Sequence, residues 1–175
     1  TVLSGEENFN QYFGTSGTVD PSQVEALRRY GISTSPSGRK WEDFDDRFDL
    51  AVEPNEVNRF GYVVEVDPWN PTSTPVKHSA MGRFKHEGAT IHVTGDGTVV
   101  AYSGDDERFD YLYKFVSSRK ITPGRTASAR AENMKILDEG TLYVATFTGN
   151  SPASEIDGSA AVPSDGSFDG TGKWI

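Results

Sequence analysis

The stretch Ala89-Thr-Ile-His-Val-Thr-Gly-Asp-Gly-Thr-Val-Val-Ala-Tyr102 predicts a β-hairpin, and the fold class follows from it. β-Branched and aromatic residues on both sides of its centre favour extended strands. The Gly-Asp-Gly at residues 95–97 is a typical short connection between two antiparallel strands. Strands are therefore expected at residues 89–94 and 98–102.

Similar β-rich stretches, each bounded by turn residues, occur on both sides of this hairpin. They cover residues 61–67, 110–116 and 140–147, and residues 173–175 resemble the start of another strand. Short strands separated by turns are typical of a sandwich, a barrel or a propeller. The sequence therefore predicts a mainly β fold.

Helix and loop signals complete the expected organisation. One short helix is predicted, because Asp20 is a candidate N-cap, Pro21 stands at the first helical position and Gly31 is a stop signal. A basic loop is expected at residues 117–131, and a loop-rich tail at 151–175 leads into a further strand.

The composition excludes several classes of protein. The 175 residues carry 17 basic and 26 acidic side chains, a net charge of −9, which argues against a nucleic-acid binder. No run approaches the roughly 20 apolar residues that a membrane-spanning helix needs. The chain has no cysteine, so it offers no disulfide, thiolate metal ligand or cysteine nucleophile.

Three charged clusters are candidates for chemistry. Residues 5–10 combine two carboxylates with two amides, which are ligand types that Ca²⁺ prefers. Residues 82–89 place cationic side chains next to a carboxylate between two glycines, a pattern suited to a phosphoryl group. Residues 104–109 hold three consecutive carboxylates, which repel one another unless a cation neutralises them. For each cluster the alternative is an ordinary solvated or self-paired surface segment.

Four segments carry a resemblance to a known family: GEENFNQYFG (5–14), NRFGYVVEVDPWNPTSTPVKHSAMGRFKHEGA (58–89), AYSGDDERFDYLYKFVS (101–117) and ILDEGTLYVATF (136–147). They resemble the PhoX-type alkaline phosphatases, a family of exported bacterial enzymes with an iron–calcium cofactor. The resemblance extends over residues 1–175, and its segments keep the order that they have in the family. It implies a β-propeller whose active site lies near its axis, and a chain several hundred residues long. Residues 1–175 would then be a single partial domain of about two to three propeller blades, with one short helix and long loops.

The resemblance also implies roles for individual residues. The metal ligands that it implies are Glu6, Glu7, Glu87, Asp105, Asp106 and Glu107. The catalytic residues that would contact the phosphate are Lys85, Arg83 and Arg108.

One position departs from the family pattern. The iron-dependent members carry a cysteine iron ligand directly before the Glu-Glu-Asn-Phe string, and here that residue is Gly5. Three alternatives follow: the site uses oxygen ligands alone for Fe³⁺ and Ca²⁺, it holds only Ca²⁺, or the protein is a divergent relative with weakened or different activity.

The expected function is metal-dependent hydrolysis of phosphate monoesters. The alternatives are a calcium-binding propeller that binds a ligand or partner without catalysis, and an inactive fragment. The expected partners are a small phosphoester substrate and the remainder of the same propeller, with no nucleic acid and no membrane. The resemblance implies a periplasmic or secreted protein, although these residues contain no signal peptide.

Overall fold

The structure, a computed structural model, describes residues 1–149 and 170–175, and these residues form two antiparallel sheets. The first sheet has three strands in chain order: β1 (Val2–Gly5), β2 (Val63–Val66) and β3 (Val76–His78). Strand β1 reaches β2 across a long connection, so that Gly5 pairs with Val63 and Val2 pairs with Val66.

The second sheet is a meander in which each strand pairs with the next one along the chain. Its five strands are β4 (Thr90–Val93), β5 (Thr98–Gly104), β6 (Leu112–Lys120), β7 (Gly140–Gly149) and β8 (Gly170–Trp174). The predicted hairpin is confirmed as β4–β5, with Val93 opposite Val99. Gly97 adopts a φ of +88°, which explains why a glycine stands at this point of the turn.

The predicted helix is confirmed in part as an α-helix. Residues Pro21–Gln23 form a 3₁₀ turn, whose N-cap Asp20 accepts a hydrogen bond from the Ser22 amide, and α1 (Val24–Arg29) follows. Gly31 has a φ of +65°, which ends the helical segment.

The structure corrects the expected basic loop at residues 117–131. Strand β6 continues to Lys120, and a second helix, α2 (Ala127–Asn133), begins after Thr126. The Thr126 hydroxyl accepts a hydrogen bond from the Ala129 amide, so it caps the helix. The high helix propensity of the alanines in this segment explains why it is helical rather than irregular.

Short 3₁₀ turns connect the remaining elements. They are Phe9–Tyr12, Trp41–Asp43, Asp46–Phe48, Glu56–Arg59, Ser79–Met81 and Ile136–Asp138. Within the described ranges, no helix is both long and apolar enough to cross a bilayer.

Two apolar cores hold these elements together. The first packs the N-terminal turns and α1, and its buried residues are Phe9, Phe13, Val19, Leu27, Ile32, Leu50 and Val57. The second joins the two sheets, and its buried residues are Val63, Met81, Val99, Ala101, Phe115, Ile136 and Leu137. The sheets are therefore linked by packing rather than by strand pairing.

The mainly β fold predicted from the sequence is confirmed, and two antiparallel sheets are consistent with part of a β-propeller. The strand expected at the end of the chain is confirmed as β8. Residues 151–169 of the predicted loop-rich tail lie outside the described residues. The assignment of residues 1–175 to two to three blades stays a prediction.

Candidate functional site

The second and third charged clusters meet beside the end of β5. His86 and Asp105 form an isolated antiparallel bridge between the two segments. The Lys85 amide donates to Asp105 Oδ1 at 3.2 Å, and the Asp106 amide donates to the Lys85 carbonyl at 3.1 Å. One backbone and one side-chain hydrogen bond thus bring together two segments that the sequence separates by about twenty residues.

Lys85 and Glu107 form an ion pair across this junction. Lys85 Nζ donates to Glu107 Oε2 at 2.5 Å, and the lysine side chain is only 12% exposed. This hydrogen bond, followed by one from the Arg108 amide, lowers the pKa of the Glu107 carboxyl. Glu107 is therefore held ionised next to the lysine.

The end of α1 adds a second cation to the same place. Arg29 lies 3.7 Å from Asp105 Oδ2 and 3.2 Å from Asp110 Oδ2. We refer to Arg29, Lys85, Asp105, Glu107 and Asp110 as the Asp105 cluster. It contains three carboxylates and two cations, so at neutral pH its formal charge is negative.

Asp105 has an unusual environment within this cluster. Its side chain is 1% exposed, and its Oδ2 atom is buried without any hydrogen-bond donor among the described residues. Burial raises the pKa of the Asp105 carboxyl, and the charge of Asp110 raises it further, while the hydrogen bond from the Lys85 amide and the charge of Arg29 oppose both effects. A buried carboxylate oxygen with an unused acceptor is costly unless another group binds it.

A second unpaired oxygen lies next to the cluster. Asn10 donates its amide to the Gly31 carbonyl at 3.2 Å, but its buried Oδ1 accepts no hydrogen bond from the described part of the chain. A Cβ added at Gly31 would lie 3.5 Å from Asn10 Nδ2 and 3.6 Å from Lys85 Nζ, which places Asn10 at the edge of the cluster. A cavity of 380 Å³ lined in part by Asn10, Gly31 and Arg39 adjoins this edge.

His86 is a core residue rather than an available ligand. It is fully buried, with Nδ1 2.8 Å from the Ser103 hydroxyl and Nε2 3.1 Å from the Gly82 carbonyl. Burial lowers the pKa of His86 to about 4, so the ring is neutral at physiological pH. Its function in the structure is to anchor the segment that carries Lys85 and Glu87.

Gly5 lies directly against the same segment. A Cβ atom at Gly5 would lie within 2.2 Å of the His86 carbonyl oxygen, which is far closer than any real contact. With this backbone, position 5 has no space for a side chain. A thiolate iron ligand therefore fits neither the composition of the chain nor the geometry at this position.

Glu6 and Glu7 follow β1 and are engaged by the protein itself. Glu6 Oε2 accepts the amides of Gly61 and Tyr62 at 3.0 and 3.1 Å, and Oε1 lies 2.6 Å from Lys77 Nζ. Glu7 Oε1 accepts a hydrogen bond from Asn8 at 2.7 Å. Glu6 thus fixes the turn before β2, and its role as a metal ligand stays a prediction.

Arg83 is likewise used to hold the fold. Its Nε donates to the Phe60 carbonyl at 2.8 Å and its Nη2 to the Val57 carbonyl at 2.9 Å. The guanidinium also lies 3.9 Å from the centre of the Tyr30 ring, a cation–π contact. The predicted phosphate contact would have to compete with all of these interactions.

The remaining candidates lie on the surface around the cluster. Glu87, Asp106 and Arg108 are exposed. The neighbouring Phe109 is 99% exposed and adopts a φ of +67°, which is rare for a bulky side chain. No three His, Asp or Glu side chains of residues 1–149 and 170–175 come close enough together to hold a metal ion.

The structure therefore brings together Lys85, Asp105 and Glu107, with Asp106 beside them. It adds Arg29 and Asp110, which the sequence analysis missed, and it places Asn10, one of the two amides of the first charged cluster, beside them. Arg29 has the signature of an ordinary cation in the last turn of a helix, and Asp110 that of a residue before a strand. Only the packing of α1 against the β5–β6 connection could have indicated their proximity.

The comparisons with known proteins agree with this arrangement of segments. The sequence model of the family "Alkaline phosphatase PhoX" matches residues 1–175. A solved structure, "Pseudomonas fluorescens PhoX in complex with vanadate, a transition state analogue", is similar to this chain, with 46% sequence identity and a TM-score of 0.77. The similarity covers 99% of this chain and 27% of the Pseudomonas fluorescens chain, so these residues span about a quarter of that protein's length. The comparison with curated proteins found no match.

The family match over the whole chain and the structural similarity lead to the same conclusion. This chain belongs to the alkaline phosphatase PhoX family.

Proposed function

We propose that the protein containing this chain hydrolyses phosphate monoesters with the help of bound Ca²⁺, and that the Asp105 cluster is part of its site. The observation that carries the proposal is the buried Asp105 Oδ2, a carboxylate oxygen without a hydrogen-bond donor among the described residues. It lies beside Lys85 and Arg29, two cations suited to a phosphoryl group. Family membership and the vanadate complex of the Pseudomonas fluorescens protein support the same chemistry.

The ligand types at the cluster fit Ca²⁺ by their chemistry. Ca²⁺ prefers carboxylate and amide oxygens, and both unpaired buried oxygens, Asp105 Oδ2 and Asn10 Oδ1, are of these types. We assign Asp105 as the first ligand and Asn10 as a second. A bound cation would supply positive charge and a Lewis acid for the phosphoryl oxygens.

The charge of the cluster explains why a cation is needed. A phosphomonoester carries two negative charges at neutral pH, and three carboxylates beside two cations would repel it. A divalent cation bound to Asp105 makes the net charge of the cluster positive. Lys85 is then available as a directional donor for a phosphate oxygen, and Glu107 keeps its ammonium group in place.

The other predicted residues take different places in this proposal. Asp106, Glu87 and Arg108 are exposed beside the cluster and are free to turn toward a substrate or an ion. Glu6 and Arg83 support the backbone around the cluster, since backbone groups already occupy their polar atoms, while Glu7 binds the side chain of its neighbour Asn8. No step is assigned to iron, because a thiolate ligand does not fit at Gly5.

The test compares variants of the full-length protein that contains this chain. Asp105→Asn should lose bound calcium and p-nitrophenyl phosphate hydrolysis together, whereas Asp43→Asn, the same change at an exposed aspartate, should keep both. Calcium is measured by elemental analysis before and after chelation. If Asp105→Asn retains wild-type calcium content and turnover, the Asp105 cluster is not the site.

Lys85 gives a separate test of the phosphate contact. Lys85→Met should reduce kcat/KM by about tenfold or more, because one charged hydrogen bond to the substrate is lost. Its calcium content should stay unchanged, since an ammonium group binds no cation. Lys120→Met, at a 62% exposed lysine, is the matched control. Equal kcat/KM values in both variants would show that Lys85 does not contact the substrate.

A second candidate function is a calcium-binding module without catalysis. The observation that favours it is Gly5, which stands where the resemblance implies an iron ligand and where a side chain has no space. Calcium binding without turnover in the full-length protein would support this alternative. Export to the periplasm, the natural phosphoester and the remainder of the propeller as a partner stay predictions.

A further inference from the structure

A buried histidine lies between two carboxylates at the seam between the two sheets. His78, the last residue of β3, has no exposed surface. Its Nε2 lies 2.8 Å from Glu65 Oε2, and its Nδ1 lies 2.8 Å from Asp138 Oδ1. None of these three residues belongs to the Asp105 cluster or to its proposed ligands.

Glu65 and His78 lie on the paired strands β2 and β3, whereas Asp138 lies on a turn that no strand pairing connects to that sheet. Glu65 belongs to β2 of the three-stranded sheet, and Asp138 ends the 3₁₀ turn that precedes β7 of the five-stranded sheet. Apolar side chains of the second core, including Val63, Met81 and Leu137, surround the same seam. The hydrogen bonds of His78 are thus the polar contacts in an otherwise apolar interface between the two sheets.

Both hydrogen bonds require a protonated ring. An ionised carboxylate only accepts hydrogen bonds, and a neutral imidazole has only one N–H to donate. Two carboxylates on the two ring nitrogens are therefore both satisfied only by the imidazolium form. Burial by itself would lower the pKa of His78, but the hydrogen bonds and charges of Glu65 and Asp138 outweigh it and raise that pKa above its ordinary value of 6.5.

Loss of the proton would affect the two carboxylates differently. Glu65 is only 6% exposed at its side chain, so it has no access to water and must keep the remaining N–H. Asp138 is 45% exposed and can be solvated instead. The bond to Asp138 is therefore the one that a neutral ring gives up.

We propose that protonated His78 is a pH-dependent clamp, which holds the Ile136–Asp138 turn against the three-stranded sheet and releases it when the ring loses its proton. This regulatory role goes beyond the proposed function and does not depend on it. Release would change the wall of a 470 Å³ cavity between the residue 67–76 segment and α2, because Asp138 lines that cavity.

Other charged groups near the clamp are already paired. Asp67, Arg130 and Lys135 line the same cavity as Asp138. Arg130 lies 3.3 Å from Asp67, and Lys135 lies 2.7 Å from Glu132. The charge of the clamp itself therefore depends on His78.

The sign of the pH effect follows from linkage. A histidine whose pKa is raised in the closed form stabilises that form fully below pH 6.5, and the stabilisation is lost as the pH rises through the raised value. Between pH 6.5 and the raised value, opening releases one proton, so closure weakens by about tenfold per pH unit, and above the raised value the pH dependence ends. The effect should thus appear between neutral and alkaline pH.

The other two histidines provide a built-in comparison. Burial keeps His86 neutral, with a pKa of about 4, so it carries no proton in this range. His92 lies on β4 and is exposed, so His92→Gln is the matched control for His78→Gln.

The experiment is hydrogen–deuterium exchange of the full-length protein between pH 6 and pH 9, corrected for intrinsic exchange. In wild type and His92→Gln, peptides covering residues 134–140 should lose about tenfold or more of their protection as the pH rises. In His78→Gln the protection should be low and independent of pH. Protection that is constant with pH in wild type, or the same pH dependence in His78→Gln, would overturn the proposal.

A second variant keeps the test decisive if His78→Gln does not fold. Asp138→Asn removes one charge at a half-exposed position and leaves the buried Glu65–His78 pair intact. It should abolish most of the pH dependence in the same peptides. Wild-type pH dependence in Asp138→Asn would show that the clamp does not act through Asp138.

Discussion

Arg29 and Asp105 lie 3.7 Å apart, and this distance makes them an ion pair without a direct hydrogen bond. The arginine comes from α1 and the aspartate from the connection between β5 and β6, so the pair joins the two halves of the described structure. It offsets only part of the cost of burying Asp105, whose pKa stays raised by its burial and by Asp110. An additional positive charge at this place would therefore stabilise the protein.

Asp105→Asn should stabilise the calcium-free protein while it abolishes calcium binding. An amide removes the buried negative charge, and we expect a gain of about 1 kcal/mol in the free energy of unfolding at pH 7. Because the pKa of Asp105 is raised on folding, the gain should vanish below its ordinary value of 3.8, where both states are neutral. Thermal melting of both proteins at pH 7 and pH 3.5 measures this difference.

The exposed Asp43→Asn variant is the control for that experiment. It changes the same functional group at a surface position and should leave the melting temperature unchanged at both pH values. A loss of stability in Asp105→Asn at pH 7 would mean that Arg29 fully compensates for the buried charge.

Gly5→Ala should destabilise the protein by about 1–3 kcal/mol, the usual cost of inserting an atom where none fits. The added Cβ would meet the His86 carbonyl at 2.2 Å, and a backbone group cannot rotate away as a side chain does. Gly95→Ala is the control, since a Cβ there meets nothing within 4 Å. Equal melting temperatures for the two variants would show that the segment carrying Glu87 moves to accept a side chain at position 5.

Arg83→Lys should cost about 1.5–3 kcal/mol in stability, because lysine cannot reproduce two directed hydrogen bonds to backbone carbonyls. The carbonyls concerned belong to Val57 and Phe60. Arg125→Lys, at an exposed position, should be neutral. Denaturant unfolding compares the two variants. An unchanged unfolding midpoint in Arg83→Lys would show that these hydrogen bonds do not stabilise the fold, so that Arg83 is available for the predicted phosphate contact.

Most strands were predictable because their signal is local, whereas the three-residue β3 was not predicted. β-Branched runs between turn residues identified β4 and β5, and Asp20 and Gly31 marked the limits of the first helical segment. The second helix was missed because its arginines suggested a basic loop, although Thr126 and the following alanines carried a capping signal.

The site was predictable only in part, since its residues meet through tertiary contacts. The sequence assigned chemistry to Lys85, Asp105 and Glu107, and the structure brings these three together. The backbone groups that occupy Glu6 and Arg83 belong to residues 57–62, far from either in the sequence. A charge pattern along one segment carries no information about such partners.

The pairing order of the strands has a consequence for how the site is assembled. Strands β4 to β7 each pair with the next strand, so their contacts close short loops and are expected to form early in folding. The pairing of Gly5 with Val63 closes a long loop and is expected to form late. Asp105 and Glu107 would then be in place before Arg29 and Asn10 arrive with the N-terminal half. Until that late step, a carboxylate-rich edge stands open to solvent, where a cation could reach it and guide the remaining chain into position.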